Sequence, residues 1–176
     1  DQKTRLRQIF CGENGKEIQN LLNGNKIYFG SYNGSTPIAG SKNNSNKIIE
    51  LQEKLRTRER AFQDTIDYCE SFDPIDYESL NYVDNFDGGE MWSRFDMQDA
   101  PPDILITNYT MMRIMLGRPF EEKIINNTKK WLEKEGTKFT LMLDELHSYR
   151  GTSGAEISYL IKRFLDRIGI LNNPEK

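Results

Sequence analysis

The chain lacks most of what would commit it to a secreted or membrane-bound life. Its 176 residues hold two cysteines, Cys11 and Cys69, too few for a disulfide framework or a cysteine-based zinc cluster. There is one histidine, His147, which excludes a histidine-rich metal centre. No apolar run approaches the ~20 residues that span a bilayer, so no membrane partner is expected. Asp1 to Gln8 is polar and mixed in charge, without a secretory signal pattern. These absences fit a reducing, cytoplasmic setting. The chain opens on Asp1 rather than Met, which points to further sequence upstream. The length suits one core with an appendage. A hydrophobic content of 36% with a mean hydropathy of −0.72 is polar for a compact domain, and implies a long exposed insertion or surfaces covered by something else.

The net charge of −3 is unevenly distributed. Residues 1–63 carry a net of +5 and residues 104–176 a net of +3. Residues 64–103 hold 12 acidic residues and a single basic one, Arg94, so nucleic acid should meet the flanks and avoid the middle.

Local pattern gives an order of elements. Asp1 to Phe10 reads as the end of a helix with Leu6, Ile9 and Phe10 on one side, broken by Gly12 to Gly15. Glu17 to Leu22 is a second helical stretch. Lys26 to Gly30 is a short β-rich run, followed by the turn-rich Tyr32 to Pro37 and the polar stretch Ser41 to Asn46. Ile48, Leu51, Leu55 and Phe62 recur at helical spacing over 46–62. Residues 64–100, with Pro74 and Gly88-Gly89, read as an acidic insertion with short helices. Its end is expected to tuck against a sheet through Trp92, Phe95 and Met97. Three uses suit its charge: a flap that mimics nucleic acid, a docking surface for a partner, or, as the reading favoured here, a solvated insertion.

Beyond Pro101-Pro102 the pattern sharpens. Ile104 to Ile106 is a compact strand, and Asn108 can cap a helix through Leu116, ended by Gly117. A further helix from Pro119 should bury Ile124, Ile125, Thr128, Trp131 and Leu132, and stop at Gly136. Phe139 to Leu143 reads as a strand that runs into Asp144-Glu145. Ser153 and Glu156 form a capping box ahead of a helix whose apolar face is Ile157, Leu160, Ile161, Phe164, Leu165 and Ile168. Strand–helix alternation with short connections predicts α/β layers about a parallel sheet, with functional groups where strand C-termini meet loops. The loops after Phe29, Ile106 and Leu143 qualify.

The last of these carries the most chemistry. An apolar strand leading into two adjacent carboxylates is the layout of an ATPase Walker-B site. The first carboxylate holds Mg²⁺ through water and the second polarises the attacking water. Asp-Glu after a strand is also an ordinary way to open a helix. The balance shifts with the company it keeps: His147 two residues on, Thr107-Asn108 after the previous strand, and Gly34-Ser35-Thr36-Pro37 after the one before. A faint phosphate-loop look-alike, Gly12 to Glu17, is rejected. It has two residues between its glycines where four are needed, and an acid rather than Ser or Thr after Lys16.

The order of these motifs resembles the first RecA-like domain of superfamily 2 helicases of the DEAD/DEAH-box (DExH) type. Asp144-Glu145-Leu146-His147 looks like motif II in its D-E-x-H form. Pro102 to Tyr109 resembles the "PDILITN" segment that touches the nucleic-acid backbone, and Tyr32 to Pro37 an earlier backbone-contacting segment. Asp1 to Arg7 resembles the helix after motif Ia. Tyr149-Arg150-Gly151, followed by Gly154-Ala155-Glu156 and an amphipathic helix, resembles large bacterial phage-defence and DNA-repair helicases. The resemblance covers most of the chain, is most specific over 101–168 and weakest over 64–90.

What this resemblance implies is a partial RecA-like (P-loop NTPase) domain: an α/β fold with a three-layer parallel sheet and an acidic helical insertion over 64–100. By the same resemblance Asp144 orders Mg²⁺ and Glu145 is the general base of ATP hydrolysis. His147 couples nucleotide state to the strand track. Gly34, Ser35, Thr36, Thr107 and Asn108 hold phosphates of one strand, which short polar side chains and backbone N–H groups do without reading sequence. Arg150 contacts nucleic acid, or pairs with the acidic block. ATP and Mg²⁺ are the implied cofactors of the full-length protein. The implied partners are nucleic acid, with a lean to DNA, the rest of the helicase chain, and defence or repair proteins. The phosphate loop and the second RecA-like domain are absent from these 176 residues, so the piece alone is expected to be inactive. Two other readings remain: a non-catalytic nucleic-acid-binding module of helicase type, and a general α/β nucleotide-binding protein.

Overall fold

The structure is a computed structural model that describes residues 2–38, 42–72, 78–84, 86, 88–173 and 175–176. Asp1, Ser41 and Pro74, which entered the readings above, lie outside the described residues. The chain forms two compact units, Asp1–Met97 with Pro102–Thr107, and Gln98–Pro101 with Asn108–Lys176. The fold is α/β. Among the described residues no helix is long and apolar enough to cross a membrane.

The first unit holds a three-stranded parallel sheet in the order β2-β1-β3. The strands are β1 (Phe29–Tyr32), β2 (Glu90–Met91) and β3 (Ile104–Thr107). As the central strand, β1 is covered on both faces, and Phe29 and Tyr32 are fully buried. Gly30 allows close cover from above: a Cβ there would meet the Met97 sulfur at 2.6 Å. Phe95 and Met97 are buried as expected, from α4 (Arg94–Asp99), while Trp92 is half-buried and stacks on Phe86. The strand at Glu90–Met91 lies inside the stretch read as a helical insertion.

Two helices precede β1, α1 (Gln2–Phe10) and α2 (Gly12–Leu21). The break between them falls at Cys11, in extended conformation, and not over Gly12 to Gly15. Gly15 is there for close approach, since a Cβ on it would sit 2.2 Å from the Phe10 carbonyl oxygen. The look-alike phosphate loop is therefore helix. Next comes α3 (Ser45–Glu70), capped by Asn44, whose side chain accepts from the Asn46 N–H at 3.0 Å. Its stripe of Ile48, Leu51, Leu55 and Phe62 is half-buried as the spacing predicts, but the helix runs on to bury Cys69. On its outer face Lys47 and Lys54 donate to Glu50 and hold its carboxyl down at about 2. That exposed contribution exists above the ordinary carboxylate range and disappears as pH falls through about 2.

The acidic block is not simply solvated. Glu90, 6% exposed, accepts from the Arg7 Nε at 2.6 Å, the Arg7 Nη2 at 2.8 Å and the Lys3 ammonium at 2.7 Å. Asp84 pairs with Arg7, with Lys3 at 3.2 Å and with Arg58 at 3.4 Å. Burial works to lower the Arg7 pKa. The hydrogen bonds and charge of Glu90, with the charge of Asp84, outweigh it, and the net shift is upward. Basic residues of α1 and α3 thus neutralise the middle of the acidic stretch.

The second unit is built from α5 (Tyr109–Met115), α6 (Glu122–Leu132) and α7 (Thr152–Arg167). Its core joins Leu116, Ile125, Leu132, Leu160 and Ile168, with Phe139, Phe164 and Leu165 packed against them. Ile124 is also buried, whereas Thr128 is half-buried and Trp131 is 44% exposed. The expected Ser153 cap does not form. Gly151 precedes the helix, Ser153 lies inside its first turn, and Glu156 accepts instead from the Tyr109 hydroxyl at 3.1 Å. That bond, first among its causes, raises the Tyr109 pKa. Asn108 caps α5 as predicted, accepting from the Met111 N–H at 2.8 Å. Asn108→Ala should cost about 1 kcal/mol. Hydrogen exchange at the Met111 amide is expected to quicken roughly fivefold, and unchanged exchange would show the cap contributes nothing.

Candidate functional site

In the first unit, the parallel register sets Tyr32 beside Thr107, so the C-terminal ends of β1 and β3 lie level. This brings Gly34, Ser35, Thr36 and Thr107 to one end of the sheet, where a parallel α/β fold gathers ligands. Their side chains do not all point outward to a ligand. Thr36 is 9% exposed and closes the turn: its hydroxyl donates to the Ser31 carbonyl at 2.5 Å and accepts from the Asn33 N–H at 2.8 Å. The Thr107 hydroxyl donates to the Tyr32 carbonyl at 2.8 Å, tying the two strands together. Asn33 holds the Ser35 N–H and hydroxyl through its Oδ1, at 2.9 and 2.7 Å, a side-chain turn of the kind Asn favours. Gly34 and Ser35 are left exposed at the tip, and the Gly34 N–H takes part in none of the turn's bonds.

One further residue supports this turn and was not singled out from the sequence. Arg94, 6% exposed, donates from Nη2 to the Asn33 carbonyl at 2.8 Å, and its backbone N–H donates to the Pro37 carbonyl at 3.2 Å. Its guanidinium carbon lies 5.5 Å from the Tyr32 ring centroid, a cation–π contact. The signal was available, since Arg94 is the sole cation of residues 64–103.

In the second unit, Asn108 spends its side-chain oxygen on the α5 cap and stays exposed at the head of the helix. Asp144, Glu145, His147 and Arg150 are gathered in one exposed segment around the 3-10 turn Leu146–Ser148. The expected strand over Phe139 to Leu143 is absent. A strand exists only where a neighbour completes its ladder. Here Phe139 donates to the Lys176 carbonyl and, among the described residues, nothing pairs with the backbone of 140–143. Met142 is 87% exposed in consequence. The carboxylates are therefore not held at a strand's end. Glu145 adopts a left-handed backbone (φ 50, ψ 36), and its N–H donates to the Asp144 Oδ1 at 2.9 Å. Glu145 Oε2 lies 3.1 Å from His147 Nε2, and Arg150 Nε donates to the His147 carbonyl at 3.2 Å.

The donor set fits Mg²⁺ in kind. This ion keeps most of its waters and takes one or two carboxylates together with substrate phosphates. Asp144 and Glu145 are adjacent, exposed oxygen donors able to receive it. Among the described residues no group of three or more His, Cys, Asp or Glu forms a metal cage, so the pair could bind only a largely hydrated ion.

Comparison with known proteins places one relative beside this chain. It is 30% identical over 205 aligned positions to the Druantia protein DruE of Escherichia coli (strain UMEA 4076-1). The alignment takes in 97% of this chain and 11% of that protein, so the chain spans about a tenth of the relative's length. No family model matches the chain, and no solved structure matches it.

Proposed function

We propose that this chain is part of the first motor domain of an ATP-driven helicase or translocase that grips the backbone of nucleic acid, DNA foremost, and that it serves in defence against phage. The observation that carries this is the strand register. Two segments far apart in sequence, each read as backbone-contacting, meet at one end of a parallel sheet with Gly34 and Ser35 exposed at its tip. The similarity to a large Druantia protein supports the defence setting.

ATP bound with Mg²⁺ would supply the phosphoryl group and the charge to be neutralised. Asp144 would hold the ion through water, and Glu145 would accept the proton of the attacking water. His147, within hydrogen-bond distance of Glu145, would orient that carboxylate and sense whether it has taken the proton. Phosphates of a strand would rest on the Gly34 N–H, with the Ser35 hydroxyl exchanging its Asn33 Oδ1 acceptor for a phosphate oxygen. Such contacts hold a strand whatever its bases.

The test is ATP turnover by the full-length protein with no nucleic acid, with single-stranded DNA, and with RNA of the same sequence. Turnover raised at least several-fold by DNA is expected. Turnover indifferent to both polymers would sink the proposal. A second reading, a module that holds nucleic acid without hydrolysing ATP, draws on the unpaired, exposed backbone that leads to Asp144 and Glu145. DNA binding with no turnover would select it.

A further inference from the structure

The Asn33–Thr36 turn rests on a buried cation that its own surroundings leave incompletely satisfied. Arg94 is 6% exposed, and its Nε is buried with no hydrogen-bond partner. Among the described residues no carboxylate lies within ion-pair distance of its guanidinium. Leaving a charged donor without a partner in the interior is costly, and such groups in proteins are normally paired. Two neutral contacts compensate in part, the Asn33 carbonyl and the Tyr32 ring. The contrast with Arg7 is direct: that buried arginine has two carboxylates. A positive charge beneath a turn, away from water, is weakly screened and acts on whatever anion comes to rest on that turn.

We infer that Arg94 is a positioning residue for a phosphodiester on the Gly34–Ser35 tip. It holds the Asn33 carbonyl inward, so that the Gly34 N–H faces out, and it supplies from below the positive charge that the phosphate neutralises. This rests on the proposed nucleic-acid reading and adds a residue to it from outside the two backbone-contacting segments. It also gives a role to the lone arginine among the 12 acids of residues 64–103. The ligand class is a phosphodiester strand with no base preference, because neither the turn nor a buried guanidinium offers a base edge anything to read.

The experiment is fluorescence anisotropy of a labelled single-stranded DNA oligonucleotide against the full-length protein over a range of salt. The proteins are wild type, Arg94→Gln, Arg94→Lys and Ser35→Glu. Losing one ionic contact from a single strand lowers the salt slope by about 0.7. Arg94→Gln is expected to show that loss and to bind roughly tenfold more weakly at low salt, while Arg94→Lys keeps the slope and most of the affinity. Ser35→Glu, exposed and free of interior packing, should weaken binding at least as much with an unchanged melting temperature. Arg94→Gln with the wild-type slope overturns the inference, because a merely structural arginine leaves the charge count alone. If Arg94→Gln fails to fold, Ser35→Glu and Arg94→Lys decide: wild-type affinity in the first, or a lost slope in the second, overturns it. A wild-type protein that binds no DNA removes the parent reading as well, whereas sound binding with a slope indifferent to Arg94 removes this inference alone.

Discussion

Glu145→Gln in the full-length protein should reduce nucleic-acid-stimulated ATP turnover by roughly 10² to 10⁴-fold, the range a general base contributes. Nucleic-acid binding should stay within about twofold of wild type, since the change removes a proton acceptor and leaves volume and backbone alone. The side chain is 68% exposed and its pairing with His147 lies in solvent, so stability should not move. An unaltered melting temperature with lost turnover would therefore isolate chemistry from folding. Turnover retained above about a tenth of wild type would remove Glu145 from the role of base and favour the binding-only module.

Glu90→Ala should be the most destabilising single change in the first unit. Glu90 receives three charge-assisted hydrogen bonds at 2.6–2.8 Å, and removing it leaves the buried Arg7 guanidinium with Asp84 alone. Breaking a buried pair from one side costs about 3–5 kcal/mol. Asp84 remains to take part of the charge, so the lower end is expected. Roughly a hundredfold faster hydrogen exchange in peptides covering β1 and β2 follows from that figure. Replacing both partners, Arg7→Met with Glu90→Leu, should recover most of the loss, because two apolar side chains leave no charge stranded. Single and double variants with equal exchange rates would show that the network is not what holds β2 in place.

The parts of the molecule legible in the sequence are those decided locally. Asn108 caps its helix through a bond to a residue three positions away, and the apolar faces of α6 and α7 follow from spacing alone. Ile104 to Thr107 forms the predicted strand because its neighbour β1 is present to pair with it. Phe139 to Leu143 has the same local character, but among the described residues no strand pairs with it, so the same pattern gave an unpaired segment with Met142 exposed. Ser153 was misread for a related reason: Glu156 has a rival partner in Tyr109, which lies 47 residues away. Charge misled most. Asp84 and Glu90 look solvated in a row of acids, and only the fold shows that Lys3, Arg7 and Arg58 meet them. The candidate site divides the same way. Sequence order pointed to the turn at Gly34 and to Thr107. That the hydroxyl of Thr107 is spent on the backbone, and that Arg94 lies under the turn, depends on contacts across 61 to 75 residues, whereas Thr36 closes its turn on Ser31 close by in sequence.

The parallel sheet also sets a schedule for synthesis. The central strand can accept no partner until the chain has been extended well beyond it, since Tyr32 meets Thr107 across 75 residues and Phe29 waits for Glu90. Closing loops of that size is slow compared with winding the local helices. While the ribosome adds the long α3 helix and the acidic stretch after it, Phe29 and Tyr32 are committed to an interior that does not yet exist. At about 5–20 residues per second this nascent intermediate lasts several seconds. During that interval the dense negative charge of the emerging acidic stretch would keep neighbouring nascent chains apart, a solubilising service that ends when Lys3 and Arg7 close on Glu90.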